Sequence, residues 1–180
     1  MKYVLLSIVF FGILAGCNNS TAEEPVINNT QPTVTETTHN PTPVTTSSAL
    51  PSFRMMSAGN HLIDLTQFKG KKIFVNLWAT WCPPCRAEIP SIERLAAKTD
   101  KNKAEFIMLS LDDDFEKAKS FAIKNNMKLP VYYPASTLPQ LFAVNGIPVT
   151  YIFNEKGEVI YQQVGENNYD TNDFFNLLNK

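Results

Sequence analysis

The chain has 180 residues, 44% apolar and 18% charged, which is enough for one ordinary domain with a core of its own. Its formal net charge is −1 with both signs interspersed, so nothing marks it for nucleic acid or for an anionic membrane surface. Three cysteines, an odd number, require one of them to have a separate chemical fate, and two histidines are few for a metal site.

In chain order, the first element is a targeting segment, residues 1–16. Lys2 supplies a positive start, Val4 to Leu14 is an almost unbroken apolar run, and small residues lead into Cys17. A helix needs about twenty apolar residues to span a bilayer, so this run is too short to cross one. Leu14-Ala15-Gly16-Cys17 resembles the lipobox of bacterial lipoproteins. That resemblance implies cleavage before Cys17 and acylation of its sulfur, with the attached chains holding the protein to a membrane. An ordinary cleaved signal followed by a chance cysteine is the alternative.

Residues 17–49 are rich in Thr, Ser, Asn and Pro, and their few apolar residues have no period. Such a segment cannot bury enough apolar surface to offset its ordering entropy, so a disordered tether is expected. His39, alone in this tract, is unsuited to metal binding.

Residues 50–180 read as the globular domain. Phe53 to Met56 and His61 to Leu65 flank Gly59-Asn60 and predict a hairpin. Lys72 to Trp78 is a compact apolar strand, and Pro83 to Lys98 is a helix with Ile89, Ile92, Leu95 and Ala96 on one side. Ala104 to Leu111 is a second buried-type strand. Asp112-Asp113-Asp114 then reads as the cap and first turn of a helix reaching Asn125. Leu129 to Tyr133 is a short strand and Thr137 to Val144 a short helix. Val149 to Phe153 and Glu158 to Val164 form a hairpin around Asn154 to Gly157, and Asp170 to Leu178 is a closing helix. This order predicts an α/β fold with a mixed central sheet and helices on both faces.

The chemistry concentrates at Trp81-Cys82-Pro83-Pro84-Cys85, which follows a strand and opens a helix. Two cysteines three apart can close and reopen a disulfide. The thiolate is the nucleophile, and a helix N-terminus favours charge on sulfur. Pro83 and Pro84 are tolerated there because their missing N–H groups would be unpaired anyway. They also withhold donors from the sulfur, which points to a less oxidising site. Two other uses of the pair are weaker. A structural disulfide across so small a loop restrains the unfolded chain little, and half a zinc site lacks partners, since His61 alone cannot complete it.

Val75 to Cys85 (VNLWATWCPPC) resembles the active-site segment of thioredoxin-fold proteins, and is most similar to the TlpA/ResA-like branch of anchored thiol–disulfide oxidoreductases. The resemblance runs from residue 50 to 180 and includes Gly146-Ile147-Pro148-Val149-Thr150. It implies a thioredoxin-like fold with an N-terminal hairpin and a helix–strand insertion between Asp113 and Tyr133. It implies a cis Pro148 beside the cysteines, with the backbone of Ile147 pairing with the client chain. Thioredoxins carry a buried Asp where this chain has Asn76, which cannot move a proton. Glu88 matches a carboxylate that ResA-like members place near the pair, and could accept the Cys85 proton. An ordinary surface acid in the first helical turn is the other reading of Glu88.

The division of labour that follows has Cys82 attacking and Cys85 resolving, with Trp81, Pro83, Pro84, Ile147 and Pro148 against the client. Trp78 is assigned to the core. No cofactor is expected beyond the Cys82–Cys85 disulfide itself, and no metal. The expected partners are exported proteins with oxidised cysteines, a membrane thiol electron donor, and the membrane through Cys17. A monomer in the cell envelope is expected, with no nucleic acid partner. The leading function is disulfide reduction outside the cytoplasm. An oxidase or isomerase would use the same motif. A surface lipoprotein without activity would have no use for it. A peroxidase would use a lone Thr-flanked cysteine instead.

Overall fold

The computed structural model describes residues 49–180. The targeting segment, Cys17, His39 and all but the last residue of the tether lie outside the described residues. The elements are β1 (Arg54–Ser57), β2 (Leu62–Asp64), β3 (Lys72–Trp78), α1 (Pro83–Lys98), β4 (Ala104–Ser110), α2 (Phe115–Lys124), β5 (Val131–Pro134), β6 (Val149–Phe153), β7 (Val159–Val164) and α3 (Asn172–Asn179). Two 3-10 turns, Leu65–Phe68 and Gln140–Phe142, complete the set.

All seven strands form one sheet in the order β2-β1-β5-β4-β3-β6-β7. Strand β3 (KIFVNLW) is buried along its whole length, as a strand with neighbours on both sides and layers on both faces must be. It pairs in parallel with β4 (Val75 opposite Ile107) and antiparallel with β6 (Asn76 opposite Thr150). The period of two splits its side chains. Ile73, Val75 and Leu77 enter one core with Ile107, Leu109, Tyr151 and Phe153. Phe74 and Trp78 enter the other with Phe106, Met108 and Ile152.

From β3 to β4 and from β4 to β5 the chain steps the same way across the sheet, so right-handed crossovers place α1 and α2 on one face. Residues Ile89 and Ile92 of α1, Ala118 of α2, and Phe174 and Leu178 of α3 share the Phe74–Trp78 core. The other face is covered by the two 3-10 turns, which bring in Leu65 and Phe142, and by Phe53 just before β1. Helices thus lie on both faces as expected, but the α-helices all lie on one.

The expected helix over Thr137 to Val144 contracts to a single 3-10 turn. Its N-cap is Pro139, which offers no side-chain cap, and the short turn suffices to seat Phe142 against Phe53 and Tyr151. The insertion, α2 with β5, attaches the N-terminal hairpin to the sheet, since β1 pairs with β5. The β6–β7 hairpin turns at Gly157 (φ +85°), where a Cβ would sit 2.9 Å from that of Leu50. Only glycine fits there.

Candidate active site

Four residues, Ala79 to Cys82, link β3 to α1. The Ala79 carbonyl accepts the Cys82 N–H at 3.2 Å, turning the chain into α1. Cys82 is the N-cap of that helix, with its Sγ in the capping role, accepting the Cys85 N–H at 3.2 Å. Pro83 and Pro84 occupy the first two helical positions, so the Cys85 amide is the nearest donor left to the sulfur. Cys82 and Cys85 are joined as a disulfide. Cys85 is fully buried and Cys82 is 3% exposed, so any partner reaches the pair through Cys82.

The rim of the pair draws on the β3–α1 loop and on the Ile147–Pro148 segment. Trp81 is 64% exposed beside the cysteines, while Trp78 is wholly buried and packs on Phe121. The Ile147 carbonyl oxygen lies 3.8 Å from Cys82 Sγ, and the Ile147–Pro148 peptide bond is cis. Neither backbone group of Ile147 has a backbone partner among the described residues. Tertiary folding therefore gathers Trp81, Cys82, Pro83, Pro84, Cys85, Ile147 and Pro148 into one place.

Glu88 lies one helical turn past Cys85, on the inner side of α1, and is 2% exposed. Its reading as a surface acid in the first turn is overturned, because this face of α1 packs on the sheet. Asn76 Nδ2 donates to Oε1 at 2.7 Å and also to Thr150 Oγ1 at 2.9 Å. The Asn167 N–H donates to Oε2 at 3.1 Å. Burial pushes the Glu88 carboxyl up to about 7, with the two donors pulling it down and the Glu166 carboxylate pushing it up. Glu88 in turn helps raise the nearby Tyr161 and Tyr169 hydroxyls, after burial as the main cause. A buried carboxyl poised near neutrality, one turn from a buried cysteine, can hold or release a proton there.

A second carboxylate was assigned differently by the sequence. The run Asp112 to Asp114 reads as one cap, but only Asp114 caps α2, accepting the Glu116 N–H, and Asp113 pairs with Lys117. Asp112 is 4% exposed and turns back toward the β3–α1 loop. Its carboxylate accepts the Thr80 N–H (3.1 and 3.2 Å to the two oxygens), the Thr80 hydroxyl (2.6 Å) and the Ser110 hydroxyl (2.8 Å). The one signal available was its place immediately after a buried strand, at the strand end where α/β sites gather. Asn167, 79 residues from Glu88, gave no signal at all.

Two clefts border α1. One of about 570 Å³ runs from Pro83 and Arg86 to Phe121 and Met127 of α2 and the loop after it. The other, of about 540 Å³, is polar and lined by Glu88, Arg94, Glu166 and Asn167. Among the described residues no three His, Cys, Asp or Glu side chains cluster as metal ligands, and no helix is long and apolar enough to cross a membrane.

With this geometry in place, known proteins can be set beside it. The profile of the Redoxin family matches residues 29–178. The chain belongs to the Redoxin family. Within it the chain is a TlpA/ResA-like, thioredoxin-fold thiol–disulfide oxidoreductase. It is 30% identical over 117 residues to thiol-disulfide oxidoreductase ResA of Bacillus cereus, covering 64% of this chain and 68% of that one. It is 32% identical over 117 residues to the thioredoxin-like protein YneN of Bacillus subtilis, covering 64% and 69%. Among solved structures it resembles a thioredoxin-family thiol:disulfide interchange protein from Chlorobium tepidum TLS (TM-score 0.64, 23% identity, 74% of this chain and 97% of that one). It also resembles StoA from Bacillus subtilis (TM-score 0.59, 22% identity, 70% and 99%). At these identities the structural likeness establishes the fold alone.

Proposed function

We propose that this redoxin-family oxidoreductase is a disulfide reductant working outside the cytoplasm, tethered to a membrane by lipid on Cys17. It takes electrons from a membrane thiol carrier and passes them to oxidised cysteines of exported client proteins. Apocytochrome c, whose haem-attachment cysteines must be reduced, is one client class that suits it.

The observation that carries the reading is the placement of the pair, with Cys82 capping α1 and slightly exposed, Cys85 fully buried, and the buried Glu88 one helical turn further along α1. In the reduced protein the Cys82 thiolate attacks a client disulfide. A Cys82–client bond forms, and the electron pair of the broken client bond leaves on the second client sulfur. Cys85 gives its proton to Glu88 and attacks Cys82 Sγ. The Cys82–Cys85 bond forms, the first client sulfur leaves with the electron pair, and the client has gained two electrons. The donor dithiol then restores the starting state by the same exchange. Trp81, Pro83 and Pro84 flank the client, and the unpaired backbone of Ile147, held by Pro148, lies where an extended client chain would pair.

The direction toward reduction is supported by the scarcity of donors to Cys82 Sγ. A thiolate bonded by few N–H groups is less stabilised, so the reduced form is less favoured and the couple is more reducing. The test is the reduction potential of the couple in the full chain, equilibrated against glutathione or dithiothreitol. A value at or below about −230 mV, toward the roughly −270 mV of thioredoxin, supports a reductant. A value near the roughly −120 mV of a strong oxidant would make the protein a disulfide donor.

A further inference from the structure

We propose that Asp112 is the positioning residue of the client-facing loop. Its carboxylate latches Thr80 and so holds the exposed Trp81 in the pose that meets a client polypeptide. The inference rests on the client contact proposed above.

Trp81 is a large apolar side chain, 64% exposed, on the short loop between β3 and α1. Left to itself such a side chain spreads over several rotamers, and binding must pay to order it. The residue before it, Thr80, is held through both its backbone N–H and its hydroxyl. Both donors of Thr80 point into the Asp112 carboxylate, and that carboxylate is fixed from below by Ser110, whose Oγ accepts the Asp112 N–H at 3.1 Å. The Leu111 N–H on the Trp78 carbonyl (2.8 Å) ties the same two strand ends together.

Asp112 has no cation partner among the ion pairs of the described residues, so neutral donors alone offset its desolvation. An apolar residue of similar volume would fill the place at less cost. It could not grip the Thr80 N–H and hydroxyl together. The latch also stands apart from the proton chemistry, since Glu88 and its partners use none of these groups.

The experiment compares full-length wild type with Asp112→Asn in reducing two substrates, insulin and the small disulfide dithionitrobenzoate. Expected is a roughly tenfold loss of kcat/KM with insulin, mostly in KM, and a change below about twofold with the small disulfide, which needs only the sulfur of Cys82. Equal losses on both substrates, or no loss on insulin, would overturn the proposal. In a Trp81→Ala background Asp112→Asn should cost nothing further, and an undiminished tenfold loss there also counts against it. Should Asp112→Asn fail to fold, Thr80→Val removes one donor to the latch and must give the same substrate split with a smaller loss. Should wild type not reduce insulin, the client reading fails by itself. The latch is then judged by acrylamide quenching and anisotropy of Trp81 fluorescence, Trp78 being buried. Faster Trp81 motion in Asp112→Asn upholds the latch, and unchanged motion refutes it.

Discussion

Two buried carboxylates flank the junction of β3 and α1, and they are built differently. Glu88 lies behind the cysteines on α1 and accepts one side-chain N–H and one backbone N–H. Asp112 lies at the end of β4 and accepts two hydroxyls and a shared backbone N–H. For Glu88, burial outweighs the two donors and its carboxyl rises to about 7. The first can hold or release a proton one helical turn from Cys85, and the second ties the β3–α1 loop to the end of β4; the donors that face each carboxylate make the difference.

The largest effect tests whether either carboxylate matters without the sulfurs. Cys85→Ser should abolish turnover and leave Cys82 trapped in mixed disulfides with clients, seen as adducts on non-reducing gels that dithiothreitol removes. Turnover persisting in this variant would end the proposed division of labour.

Next in size is Asp112→Ala, which strands three donors. A loss of about 2–4 kcal/mol in urea unfolding is expected. A loss below about 0.5 kcal/mol would mean that this carboxylate does not hold the two strand ends together.

Glu88→Gln is expected to slow the resolving step by about tenfold to a hundredfold in single-turnover kinetics, with little change in the first attack. In wild type that step should accelerate as pH rises through about 7, because only the ionised carboxylate accepts the Cys85 proton. In the variant the rise should move toward the thiol's own range, about 8.5. Stability supplies a second check. A carboxyl raised to about 7 when folded binds more protons folded than unfolded, so its contribution falls as pH rises from about 4.5 to about 7. Over that window wild type should lose up to about 3 kcal/mol relative to Glu88→Gln. Parallel stability curves for the two proteins would contradict the assignment of the shift to Glu88.

The smallest effect on stability is expected from Trp81→Ala, within about 0.5 kcal/mol of wild type, because the side chain is mostly exposed. Its effect should fall on client reduction, measured as kcat/KM with insulin.

Much of this molecule was legible in the sequence. The run KIFVNLW read as a compact apolar strand and WCPPC as the opening of a helix, because composition and helix-start rules are local, whereas the burial of that strand on both faces and the capping role of the Cys82 sulfur came from the fold. Ile147 and Pro148 were placed at the site by family resemblance, and the fold brings the Ile147 carbonyl within 3.8 Å of Cys82 Sγ. What tertiary structure alone decided lies in the contacts between distant segments. It put α1 and α2 on one face, because successive crossovers step in one direction across the sheet, and packed α3 into the same core through Phe174 and Leu178. It cut the expected helix at Thr137 to Val144 to a single turn. It buried Glu88 against Asn76 and Asn167, and it separated Asp112 from the cap at Asp114. A carboxylate's role depends on which donors face it and how much water reaches it, and apart from Ser110 the donors to Glu88 and Asp112 come from residues 12 to 79 positions away.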